Sequence, residues 1–149
     1  MKKFRTTILL LIIICLLLVL STCDINKPLR TKMYTYYSND NNYVILTGIV
    51  ASKYDNGSVV GIKITTENHT ITRPKDNGIF VFYVYCTDIE DIDSLSIGDE
   101  IVFTTAAMYF YNGHILPIVS LEKEGEIYLE YEIGKANLLN WILRDGFND

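Results

Sequence analysis

Apolar and polar positions divide the chain into three stretches. Ile8 to Leu20 is an unbroken apolar run flanked by Met1-Lys2-Lys3-Phe4-Arg5 before it and Ser21-Thr22-Cys23-Asp24 after it. Asp24 to Asn42 is polar, with Lys27, Arg30, Lys32 and the run Ser38-Asn39-Asp40-Asn41-Asn42, and reads as a tether. Its large apolar groups Tyr34, Tyr36 and Tyr37 pack on the domain or lie at a lipid interface. From Tyr43 onward the chain is dense in β-branched and aromatic residues broken by turn signals, the pattern of an all-β domain.

Strand 1 is expected over Tyr43–Tyr54 and strand 2 over Ser58–Glu67, joined by Asp55-Asn56-Gly57, whose Asn-Gly pair tolerates the positive φ of a hairpin turn. Arg73–Gly78 is a polar loop, and strand 3 follows as Ile79–Cys86. Thr87–Leu95 suits one short helical turn. Strand 4 starts at Asp99 and runs through Ile101, Phe103 and Thr105. Asn112-Gly113 turns into strand 5, His114–Lys123, and Glu124-Gly125 turns into Glu126–Ile133, where apolar residues alternate with Glu. The period then changes: Leu138, Leu139, Trp141, Ile142 and Leu143 fall at helical spacing between Gly134 and Gly146, so a short helix should close the barrel through Trp141 or offer itself to a partner. The predicted core is Ile45, Ile49, Val60, Ile62, Ile64, Phe80, Phe82, Val84, Ile101, Phe103, Ile118 and Leu121. Alternation puts Tyr83 and Tyr85 on the outer side of strand 3.

The N-terminal pattern is that of a secretory signal: a basic head, a short apolar segment and small residues. Thirteen apolar residues make roughly 20 Å of helix, short of a hydrocarbon core of roughly 30 Å. An uncleaved, marginally spanning anchor is the competing reading. Leu20-Ser21-Thr22-Cys23 resembles the lipobox of bacterial lipoproteins, with Thr22 where that family usually has Gly, Ala or Ser. The resemblance implies cleavage before Cys23, acylation of its sulfur, and a lipid-anchored domain on the extracytoplasmic face of the cell membrane. The organisation expected is then a signal over 1–22, a flexible tether over 23–42 and one domain over 43–149.

Removing Lys2, Lys3 and Arg5 with the signal leaves ten basic against eighteen acidic side chains, a net charge of −8. Such a surface repels phosphate backbones at long range, which disfavours nucleic acid as a partner. Cys15 goes with the signal. Cys86, in an apolar strand, is expected as a buried thiol.

Leu46-Thr47-Gly48-Ile49-Val50, the turn Leu95-Ser96-Ile97-Gly98-Asp99 leading into Glu100–Phe103, and the hairpin Tyr111-Asn112-Gly113-His114 followed by Ile115–Leu121 together resemble an OB-fold of the anticodon-binding-like group. The resemblance covers roughly Tyr43–Lys123. It implies an all-β, OB-fold-like five-stranded antiparallel barrel, here with an extra strand and a short C-terminal helix. OB barrels that bind nucleic acid use a basic groove with aromatics. Here strand 2 and the loop after it offer Lys63, Arg73 and Lys75.

No phosphate loop, nucleophile elbow or Cys-x-x-Cys pair occurs in the sequence. His69 and His114 are far apart, and Asp88, Glu90, Asp91 and Asp93 lack the spacing of a calcium loop, so no metal or other cofactor is expected. Asn68-His69-Thr70 fits a glycosylation acceptor pattern that a bacterial lipoprotein rarely uses. The expectation is a non-enzymatic binding module for a peptide, glycan or protein, with Lys63, Tyr83 and Tyr85 as its ligand platform. The competing packing role puts the two tyrosines under the C-terminal helix around Trp141. The alternatives of another class are a small extracellular hydrolase using paired carboxylates and a nucleic-acid-binding OB domain.

Overall fold

A computed structural model describes residues 27–54, 58–66, 71, 77–85, 93–106, 108–110 and 113–144; for 27, 28, 108–110 and 113–115 it describes backbone alone. The signal segment, all three cysteines, both histidine side chains, Arg73, Lys75, the Asn68–Thr70 tripeptide and Asp88, Glu90 and Asp91 lie outside that description.

Helix α1 (Lys27–Ser38) leads through a short 3-10 turn (Asp40–Asn42) into β1 (Val44–Tyr54). There follow β2 (Val59–Ile64), β3 (Ile79–Val84), β4 (Glu100–Thr105), β5 (Met108–Phe110), β6 (Gly113–Ile115), β7 (Pro117–Lys123), β8 (Glu126–Leu129) and helix α2 (Tyr131–Arg144). The main sheet runs β3-β2-β1-β4-β7-β8, and a further pairing of β3 with β7 closes β1, β2, β3, β7 and β4 into a ring. The fold is therefore the all-β, barrel-like kind expected, with β8 as the extra strand and α2 as the terminal helix. Four of the ring's five pairings are antiparallel; the closing one, Tyr83↔Pro117 and Val84↔Ile118, is parallel.

The ring interior is filled by Leu46, Val50, Val60, Ile62, Phe80, Phe82, Val84, Ile101, Phe103, Ile118 and Leu121, with Leu95, Leu116 and Leu129. Phe82 is fully buried and meets Phe103 edge-on at 4.9 Å. Ile64 is partly buried against this core. Strand 1, however, has the opposite phase to that predicted. Ile45 is 70 % exposed and Ile49 38 %, whereas Leu46 and Val50 point inward. Between them Gly48 faces the interior, where a Cβ would strike Ile62 Cγ2 and come within 3.0 Å of the Lys63 carbonyl oxygen. An inward residue without a side chain, beside apolar residues on both faces, left the period of two ambiguous.

The second correction concerns the tether. From Lys27 it is helical, and Leu29, Met33, Tyr36 and Tyr37 recur at the spacing of one helix face. Met33 and Tyr37 are fully buried in a second cluster with Ala106, Val119, Leu138 and Ile142, between the ring and the two helices. The packed unit thus reaches back to Leu29.

At the other end, the strand predicted to Ile133 stops at Leu129, and α2 begins at Tyr131. Gly134 then lies inside the helix, buried, where a Cβ would collide with the Val119 carbonyl group. A bulge in β7 skips Val119 in the pairing with β4, so Ile118 and Leu121 both enter the ring while Val119 turns out beneath α2. Trp141 belongs to this outer layer and not to the ring interior. The expected strand 5 is also divided: its start, β6, pairs with β5 in a separate two-stranded sheet, and only β7 joins the ring.

Candidate functional site

Strand β3 builds the site through its pleat. Phe80, Phe82 and Val84 enter the ring, so Tyr83 is sent outward and remains 40 % exposed. Its backbone is held on both sides, opposite Val59 of β2 and Pro117 of β7, and its N–H donates to the Leu116 carbonyl at 2.8 Å. Tyr85 follows on the same side, half-buried. The Tyr83 and Tyr85 rings lie 6.5 Å apart and nearly parallel, at 17°. Tyr85 in turn rests on Trp141 of α2, with centroids 4.4 Å apart and planes at 31°. Three aromatic rings thus form a ledge running from the buried layer out to solvent. Burial, and then the neighbouring Tyr83, push the Tyr85 hydroxyl well above its ordinary value of 10, so it is a neutral hydrogen-bonding group.

Lys63 does not join this ledge. It is exposed and sits opposite Ile79 on β3 and Ile49 on β1. Tyr83 is opposite Val59, so four residues of β2, about 13 Å, separate it from the lysine. The hairpin register decides this. Tyr83 and Tyr85 are brought together; Lys63 is not. Cys23, the remaining residue singled out in the sequence, lies outside the described residues.

A second constellation was not visible in the sequence, because its members are far apart along the chain. The Asp40 carboxylate accepts from Tyr131 Oη at 2.5 Å and from Lys135 Nζ. Lys135 Nζ also lies 5.8 Å from the centre of the Tyr43 ring and 5.6 Å from that of Tyr131, whose rings meet edge-on. Tyr43 donates its hydroxyl to the Tyr37 carbonyl at 2.8 Å. The Lys135 and Tyr131 hydrogen bonds hold Asp40 below its ordinary 3.8. Tyr131 moves up, through desolvation first, then its bond to Asp40 and that carboxylate's charge. A raised tyrosine beside a charged carboxylate is not primed to act as nucleophile or base. The group clasps the end of α1 to the start of α2.

A similar clasp precedes β4. Asp99 accepts from Lys123 Nζ at 2.8 Å and from the Ser96 N–H at 2.7 Å, and these two bonds lower its pKa. Gly98, at φ +99°, makes the turn between. Lys53 reaches across to the carbonyls of Asp93 and Leu95, both at 2.9 Å. Both shifted carboxylates, Asp40 and Asp99, move in the direction that keeps them charged, and each is engaged by a lysine.

Among the described residues no group of three or more His, Cys, Asp or Glu side chains could hold a metal, and no helix is long and apolar enough to cross a membrane. Comparison with family profiles, with curated proteins and with solved structures finds no significant match to this chain.

Proposed function

We propose that the chain is a lipid-anchored binding module on the extracytoplasmic face of the cell membrane, attached through Cys23 and contacting a peptide, glycan or protein through the Tyr83–Tyr85–Trp141 ledge. The observation that carries this reading is the outward Tyr83 ring, stacked on a half-buried Tyr85 that is itself backed by Trp141. A stack fixed by a strand on one side and a helix on the other presents flat apolar area with a hydroxyl rim at little ordering cost. Extended peptides and the apolar faces of sugar rings are the ligands that such a surface suits. Two further supports come from the sequence: the lipobox-like Leu20–Cys23 and the acidic balance, which disfavours nucleic acid.

Trp141 is the only tryptophan, so its emission reports directly on the ledge. Titration with β-linked amino-sugar oligosaccharides and with short extended peptides should change that emission saturably for at least one series. Tyr83→Ala should weaken that binding by about 1 kcal/mol or more, with little change in melting temperature. A lowered melting temperature with affinity unchanged in the folded fraction would assign Tyr83 to packing instead. Anchoring is tested separately: a fatty-acid analogue should label the wild type and not Cys23→Ser.

A further inference from the structure

Very little chain separates the acylation point of the proposed lipoprotein from its folded part. Only Asp24, Ile25 and Asn26 stand between Cys23 and Lys27, where α1 begins. Four Cα steps reach about 14 Å at full extension, whatever path the chain takes. The folded unit is therefore held within about one helix diameter of the lipid.

The helix pair shows which end is held there. Asp40, just beyond the end of α1, touches Tyr131 and Lys135 in the first turns of α2. The helices share one packed cluster and run in opposite senses, so the start of α1 lies toward the last turn of α2. Among the described residues charge is divided along this pair; Asp24 and Asp145, which adjoin it in sequence, lie outside them. Lys27, Arg30 and Lys32 are the charged residues of α1, and Arg144 is in the last turn of α2. Asp40, Glu130 and Glu132 lie toward the opposite end, where Lys135 is engaged by Asp40. Lys32 and Arg144 are exposed, and beside Arg144 the apolar Leu143 is 55 % exposed.

We infer that the end formed by the first half of α1 and the last turn of α2 rests on the anionic headgroups of the membrane that carries the Cys23 anchor. The inference depends on the lipoprotein reading. The net negative charge does not oppose it, because at physiological salt the interaction decays over about 8 Å and only the near face is felt. Basic side chains with Leu143 and the nearby Trp141 form the mixed cationic, apolar and aromatic surface that headgroups accept. Trp141 stands in the final four residues of α2, so docking places the aromatic ledge beside the bilayer and selects for ligands met at its surface.

The test uses the full lipidated chain in vesicles of phosphatidylcholine, with or without phosphatidylglycerol. Trp141 is the energy donor and a dansyl-headgroup lipid the acceptor. Phosphatidylglycerol should raise the transfer for the wild type, and raising salt should reverse the rise. The double variant Lys32→Glu/Arg144→Glu, altered only at exposed positions, should lose the rise by about twofold or more at unchanged melting temperature. Vesicle flotation with acyl labelling separates the two ideas. If the wild type does not float, or a fatty-acid analogue labels Cys23→Ser as strongly as the wild type, the lipoprotein reading fails and this inference with it. If the wild type floats but transfer ignores phosphatidylglycerol, salt and charge reversal, docking alone is overturned.

Discussion

The inside of the strand ring and the layer between ring and helices are built from different side chains. The ring holds hydrocarbon: Phe80, Phe82 and Phe103 among Val, Ile and Leu. The outer layer surrounds Met33, Val119, Leu138 and Ile142 with Tyr36, Tyr37, Tyr43, Tyr85, Tyr131 and Trp141. A closed ring can seal its contents from water, so polar tips there would be stranded. A layer one helix thick has a rim everywhere, and a tyrosine can bury its ring while its hydroxyl reaches a partner, as Tyr43 reaches the Tyr37 carbonyl and Tyr131 reaches Asp40. The ring should therefore set global stability, and the layer should carry the chain's sensitivity to conditions.

Emptying the ring is the harshest way to test that division. Phe82→Ala should cost about 3–5 kcal/mol, because the side chain is fully buried and braced by Phe103. Chemical denaturation reads this as a lowered midpoint with strand and helix signals lost together. A cost near zero would mean that the ring is not the core.

Separating the layers should cost less. Gly134→Ala gains helix propensity of about 1 kcal/mol, yet the new methyl meets the Val119 backbone, which cannot swing aside. A net loss of about 1–3 kcal/mol is expected, with red-shifted Trp141 emission as α2 lifts from β7. A stabilised variant with unshifted emission would show that the helix does not sit this close.

The mildest probe is alkali. Tyr37 and Tyr85 both have pKa values raised above the ordinary 10, chiefly by burial. A tyrosine raised in the fold favours the folded state fully below pH 10; as pH climbs past 10, the unfolded chain ionises first and that advantage is lost. The loss approaches about 1.4 kcal/mol per pH unit for each such group. Above pH 10, near-ultraviolet signals of the helix layer should fail before the far-ultraviolet strand signal does. Tyr85→Phe should shift that failure to higher pH, and simultaneous loss of both signals would deny the layer its separate chemistry.

What the sequence revealed follows the same division. Strand 3 was legible at its end, where Phe82 and Val84 face inward against Tyr83 and Tyr85 outward, although Ile79 and Val81 share the outer side. Strand 1 was not, because Val44, Ile45, Leu46, Ile49 and Val50 are apolar on both faces and Gly48 hides the inward one. The Glu alternation over Glu126–Ile133 imitates a strand beyond the point where Gly134 needs a helix to approach β7. In α1 the spacing of Leu29, Met33, Tyr36 and Tyr37 was present, but polar neighbours masked it. At the ledge, alternation along β3 put Tyr83 and Tyr85 on one side. The Trp141 contact and the removal of Lys63 depend on helix docking and strand register, which no local pattern encodes.

The closing pair of strands carries a kinetic consequence. β1 with β2 and β2 with β3 pair as chain neighbours, whereas β1 must wait for β4 and β3 for β7. Both of these contacts enclose long loops, β1–β4 the longer, so their entropy must be met before their hydrogen bonds give any return. The β3–β7 contact is also brief, two residue pairs, and Pro117 brings no N–H to it. The β1–β2–β3 meander is therefore the part of the ring that can form locally, and either long-range pairing then completes the closure. Tyr83, whose amide is bound to Leu116, marks the position where β3 is shut against β7.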